Sequence, residues 1–91
     1  MPLYVIERTY AERVEPYLGA FEKLNEINAN EGVRWLYSFL SLDRRKTFCL
    51  YEAESPEALR RAAVRAGLPA DVIVEVAYRV SPDGTLHEIV G

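Results

Sequence analysis

GVRWLYSFLSLDRRKTFCLYEAE, running from Gly32 to Glu54, decides how this chain folds. Two apolar runs, Val33 to Leu42 and Thr47 to Ala53, flank the charged break Asp43-Arg44-Arg45-Lys46. Both runs are rich in aromatic and β-branched residues and are bounded by turn formers, the pattern of a β-hairpin. The tightest turn places Arg44-Arg45 at the tip and pairs Asp43 with Lys46, a mildly favourable closing pair of opposite charges. In that register Leu36, Ser38, Leu40, Cys49, Tyr51 and Ala53 share one face. Trp35, Tyr37, Phe39, Phe48, Leu50 and Glu52 share the other. A one-residue slip would exchange the two sets, so every later assignment depends on this register. Both faces are substantially apolar, and one layer of helices covers only one of them.

Working outward, Leu3 to Arg8 (LYVIER) reads as a strand. Tyr17, Ala20, Phe21, Leu24 and Ile27 recur at helical spacing. Pro16 suits the first turn of that helix, and Asn28, Asn30 and Gly32 supply its stop. Gly19 falls inside it and weakens it modestly. After the hairpin, Ser55-Pro56-Glu57 is a strong helix start. Ala58, Leu59, Ala62, Ala63 and Ala66 form the apolar stripe of this second helix, with Gly67 at its end and Pro69 beyond. Val72 to Val80 (VIVEVAYRV) reads as the last strand and Ser81-Pro82-Asp83-Gly84 as a turn. Thr85 to Val90 is expected to add a short strand or to dock on a partner.

The order strand, helix, strand, strand, helix, strand predicts an α+β, ferredoxin-like βαββαβ domain with a four-stranded antiparallel sheet and both helices on one face. The chain is expected to form one domain over residues 1–91, with a core at 3–80 and a C-terminal tail at 81–91. An aromatic face opposite the helices predicts a homodimer, two sheets packed face to face as a dimeric α+β barrel.

With 49% hydrophobic and 27% charged residues, the composition is that of an ordinary globular chain. A net charge of −3 and short basic clusters argue against nucleic acid as a partner. No apolar run reaches the length of a membrane span, so no membrane partner is expected. The single cysteine excludes an internal disulfide and fits a cytoplasmic protein. Glycine-rich phosphate loops, Cys-x-x-Cys, His-Glu-x-x-His and Gly-x-Ser-x-Gly motifs are all absent. No catalytic residue, metal ligand or cofactor is assigned on these grounds.

The ligand-binding candidates are Glu7, Trp35, Tyr37, Phe39, Glu52 and Glu75. If Leu3-Val5-Glu7, Phe48-Leu50-Glu52 and Ile73-Glu75-Ala77 are the sides facing away from the helices, the acids gather there. Carboxylates in a closed cleft act as bases or hold a hard cation. The plainer reading has each solvated near a strand end or paired with Arg8, Arg34 or Arg79. In this register Arg34 faces away from Glu52, leaving its compensation to Arg79 or to an arginine across the two-fold. Trp35, Tyr37 and Phe39 fit a ligand pocket or the core of an interface equally. Cys49 reads as an inert core thiol and His87 as a surface residue.

The stretch GVRWLYSFLSLDRRKTFCLYEAESPEALRRAAVRAGLPADVIVEV resembles a family of small prokaryotic domains of unassigned activity, some of whose members bind nickel. The likeness runs from Leu3 to about Val80. Its most specific parts are Gly32-Val33, Cys49-Leu50-Tyr51-Glu52 and Arg65-Ala66-Gly67. The resemblance implies a ferredoxin-like fold and a dimeric α+β barrel. It also implies that the histidines of the nickel-binding members fall at Glu7 and Arg8, at Arg34, and at Ala63 with Leu68, none of which is a histidine here. Three readings follow in order: a non-catalytic homodimeric small-ligand-binding or sensor domain, a cofactor-free monooxygenase- or isomerase-like enzyme, and a nickel-binding protein.

Overall fold

The hairpin forms from strands β2 (Arg34–Leu40) and β3 (Lys46–Glu52), and it carries two surprises of register. The computed structural model describes residues 1–15 and 18–89, with Leu18 and Gly19 described in backbone only. The expected roles of Pro16 and Tyr17 in the first helix, and that of Val90 in the tail, lie outside the described residues. Around the hairpin stand strand β1 (Leu3–Thr9), helices α1 (Leu18–Asn30) and α2 (Pro56–Ala66), and strand β4 (Val72–Val76). The four strands form one antiparallel sheet in the order β2-β3-β1-β4. An α+β arrangement of this sheet and two helices is consistent with the ferredoxin-like expectation.

The hairpin closes two residues earlier than the tightest turn demands. Leu40 pairs with Thr47, the Ser41 amide donates to the Lys46 carbonyl at 2.9 Å, and Leu42 to Arg45 form the loop. Without glycine or asparagine at the tip, side chains shape this loop. The Asp43 carboxylate accepts from Ser41 Oγ at 2.6 Å and from the Arg45 amide at 3.1 Å, which holds its pKa below the usual range. Arg44 takes the left-handed conformation, φ 61°. A shift of two residues preserves the faces of Tyr37 to Leu40.

The second surprise changes a face. Arg34 pairs with Glu52 and Trp35 with Tyr51, but Tyr37 pairs with Leu50, so Leu36 is an extra residue in a β-bulge. Before the bulge the faces exchange. Trp35 turns to the helix side, and Arg34 joins Glu52 on the other. The expectation that Trp35 shares a face with Tyr37 and Phe39 is therefore wrong. Val33 (5% exposed) belongs to the core and Trp35 packs against it. Seating both beside the helices, with Ser38 on the same side further on, requires one residue more than strict alternation supplies.

Tyr4 and Ile6 of β1 and Cys49 and Tyr51 of β3 form the core with Ala58, Leu59 and Ala62 of α2. The start of α2 is capped by Ser55, whose Oγ accepts from the Ala58 amide at 3.3 Å. Both helices end alike. Val33 and Leu68 amides reach back to the carbonyls of Asn28 and Ala63, with Gly32 (φ 70°) and Gly67 (φ 69°) in the left-handed conformation that only glycine adopts at little cost.

The run from Val72 to Val80 is not one strand. It breaks at Ala77, and strand β5 (Tyr78–Val80) pairs with β6 (Leu86–Glu88) as a separate hairpin around Pro82-Asp83-Gly84. Tyr78, Val80 and Leu86 on this hairpin are exposed. Among the described residues, no helix is long and apolar enough to cross a membrane.

Candidate functional site

The two faces of the sheet offer two different sites. On the face away from the helices stand Val5 and Glu7 of β1, Phe48, Leu50 and Glu52 of β3, Arg34, Tyr37 and Phe39 of β2, and Val72 and Val74 of β4. Tyr37 and Phe39 meet edge to face at 5.7 Å between ring centroids and are 55% and 67% exposed. Phe48, Val72 and Val74 extend this exposed apolar surface. One end of the face is closed: Leu3 and Glu52, paired in the row next to the departure of the C-terminal hairpin, are buried.

The carboxylates on this face are each answered by a cation. Glu7 meets Lys46 Nζ at 2.8 Å, and the same contact raises the lysine pKa. Glu52 meets Arg34 Nη1 at 3.1 Å. The exclusion of Arg34 as a partner of Glu52 was wrong because the bulge brings the two directly opposite. Glu75 is placed wrongly as well. It pairs with Tyr4, so it lies on the helix side of the edge strand β4, where it is exposed. Ile73 points the same way and packs on the core, which fixes the alternation. Of the six sequence candidates, Glu7, Tyr37, Phe39 and Glu52 thus share a face, while Trp35 and Glu75 lie on the opposite one.

A larger feature lies on the helix side. Between the sheet and α1 is a cavity of about 900 Å³. Phe21, Leu24 and Ile27 of α1 form its roof, and Trp35, Cys49 and Tyr51 belong to its floor. The Phe21 and Trp35 rings lie 5.6 Å apart at 30°, and Trp35 Nε1 donates to Ser38 Oγ at 2.8 Å. Exposed lining residues, Glu15, Lys23 and Leu40, mark where the cavity meets solvent.

Arg8 is the charged residue of this floor, only 3% exposed. Its Nη2 donates to the Tyr51 hydroxyl at 3.2 Å, its Nη1 donates to the Pro69 carbonyl, and its guanidinium carbon lies 5.8 Å from the centre of the Tyr51 ring. Burial pushes the Tyr51 hydroxyl pKa up, against the opposing pull of Arg8. Nearby, the Tyr10 hydroxyl and Thr47 Oγ1 are within hydrogen-bond distance at 3.3 Å. The ligand candidates drawn from the sequence omitted Arg8, Tyr10, Thr47 and Tyr51. The available signal was parity: Arg8 stands two residues beyond Ile6 and four beyond Tyr4, so the face that buries them buries it too.

Cys49 is buried (5% exposed) and reduced, on the helix side as expected. His87 is exposed on β6 opposite Arg79. Among the described residues, no three His, Cys, Asp or Glu side chains gather closely enough to hold a metal ion.

No curated protein matches this chain. Among solved structures, the crystal structure of SCO4226 from Streptomyces coelicolor A3(2) is similar, with a TM-score of 0.70 and 24% identity, covering 81% of this chain and 94% of that one. This likeness establishes a shared fold. The family model described as "Nickel responsive protein SCO4226-like" matches residues 4–76, most of the chain, and the protein belongs to that family.

Proposed function

We propose that the protein is a non-catalytic, cytoplasmic, homodimeric domain that binds a small ligand in the cavity between its sheet and α1. The observation that carries this reading is the cavity itself. Its volume of about 900 Å³ and its apolar lining around a few polar groups match the usual make-up of small-molecule sites. Trp35 keeps its place among the ligand-binding candidates on this reading, from the opposite side of the sheet to the one expected. Toluene titrated into labelled protein, followed by amide chemical shifts, tests it. Saturable shifts at Leu24, Trp35 and Cys49 are expected. Shifts confined to Tyr37, Phe39 and Phe48 would move the site to the other face, and no saturable shift would end the proposal.

The dimer follows from the open face, where Tyr37, Phe39 and Phe48 form an apolar surface that a second sheet would cover as in an α+β barrel. Glu7 and Glu52, each paired within its own protomer, would then line the rim of the interface, not a catalytic cleft. Phe39→Glu is expected to shift sedimentation equilibrium toward the 10.4 kDa monomer, whereas Trp35→Ala leaves association unchanged. A wild-type protein that stays monomeric at all concentrations refutes the dimer.

The family description points to nickel, and the donor set does not match it. Nickel favours imidazole, and His87 is the chain's single histidine. Of the positions matched to family histidines, Glu7 is held by Lys46 and Arg8 is a buried cation. These residues do not fit a nickel centre within one protomer.

A further inference from the structure

The charge of Arg8 is incompletely balanced. A buried guanidinium is ordinarily matched by a carboxylate, because an isolated charge away from water is costly. Among the described residues no acidic side chain lies within ion-pair distance of Arg8. Its partners are a neutral carbonyl and a neutral phenol. Tyr51 cannot supply the missing charge, since burial keeps its hydroxyl protonated.

The other ionisable groups lining the cavity do not supply it either. Glu15 is engaged by Arg44 at 3.1 Å and Arg65 by Glu31 at 3.1 Å, while Lys23 adds positive charge. The cavity therefore has an apolar roof and a floor that carries the Trp35 ring and a forked cation. A fork of N–H donors matches the two oxygens of a carboxylate. The neighbouring hydroxyls of Tyr51, Tyr10 and Thr47 add neutral hydrogen-bonding capacity but no second charge, which suits a monoanion.

Resting on the cavity reading above, we infer that the ligand is a small amphipathic monocarboxylate, its carboxylate on Arg8 and its apolar body between Trp35 and the roof residues Phe21 and Leu24. The apolar body is a ring system or medium-length chain, as the lining and volume require. The ligand completes the charge balance of the floor while displacing water from its apolar walls.

Two probes with the same body separate the charge from the cavity: 2-naphthylacetate and its neutral amide, 2-naphthylacetamide. Each is titrated into the full-length protein near neutral pH while the Trp35 indole N–H resonance is followed. Both are expected to shift it, the acetate binding about tenfold or more tightly, as a charge-assisted fork adds over a neutral one. Arg8→Gln is expected to remove the difference, and Lys23→Gln to keep it. Equal affinity of the two probes for the wild type would overturn the carboxylate inference and leave the cavity reading standing. Failure of both to shift the resonance would overturn both readings. Loss of the preference in Lys23→Gln but not in Arg8→Gln would refute the assignment to Arg8. Should Arg8→Gln fail to fold, the wild-type preference and its retention in Lys23→Gln together decide the question, and its loss in Lys23→Gln overturns the assignment.

Discussion

The two helices lie on the same side of the same sheet, yet they meet it differently. Helix α2 presents Ala58, Leu59, Ala62 and Ala63 to the core, all at most 5% exposed, and is capped at both ends. Among the described side chains of α1, only Ile27 and Asn28 are buried, while Phe21 and Leu24 are half-buried. Its first turn has no acid and its last turn no base. Ala58, Leu59 and Ala62 of α2 are part of the buried core. Phe21 and Leu24 of α1 do not fill the space beside them, and that space is the cavity. On the reading proposed above, the helix with the buried stripe serves stability and the half-buried one borders the binding space.

The contrast can be broken most directly in the core. Leu59→Ala, 2% exposed in the wild type, is expected to cost about 2–5 kcal/mol in denaturant unfolding. Leu24→Ala, at the cavity, should cost roughly 1 kcal/mol or less, because its side chain already borders empty or solvated space. Equal losses would show that α1 is packed as firmly as α2. A smaller effect is expected at the cap. Ser55→Ala should lose about 1 kcal/mol, measured the same way, because the Ala58 amide is left without its acceptor.

The smallest effect concerns the link between the helices. Glu31, just beyond α1, accepts from Arg61 Nε and Arg65 Nη1 of α2, each at 3.1 Å. These hydrogen bonds hold its pKa below the usual range, overcoming an opposing effect of desolvation. A depressed folded-state pKa contributes stability above the unfolded value, about 4.3, and loses it as pH falls through the folded one. Glu31→Gln should therefore lower the melting temperature at neutral pH, with the gap to wild type closing under acid conditions. A gap that persists at low pH would show that the side chain acts by packing, not charge.

The difference in legibility follows the same division. Helix α2 could be read in full because its signals are local: Ser55, Pro56, the alanine stripe and Gly67. The strand order followed from the alternation of periods along the chain. The register of β2 could not be read, since Leu36 is an ordinary strand residue and nothing near it marks a bulge. Glu75 was misplaced because VIVEV is apolar on both parities, so its sequence does not say which side meets the core. Arg8 stood in plain view as a charged residue near a strand end, where solvation is the usual outcome. Its burial depends on Tyr51 and Pro69, which lie far away in the chain.

The bulge at Leu36 acts on β2 as a frameshift acts on a message. Downstream of it nothing changes, since Tyr37 and Phe39 keep their outward face. Upstream, it is the exclusion of this residue from the ladder that turns the tryptophan inward and the arginine outward. Pressing Leu36 into the regular ladder would send Trp35 out among Tyr37 and Phe39 and draw Arg34 in toward a floor that already holds one cation. Deleting it would straighten the strand and leave both faces as they are. Whether Leu36 is bulged, not whether it is present, therefore separates an inward Trp35 and a paired Glu52 from the reverse. Among divergent copies of this fold, a one-residue gap here would leave every strand and both faces in place.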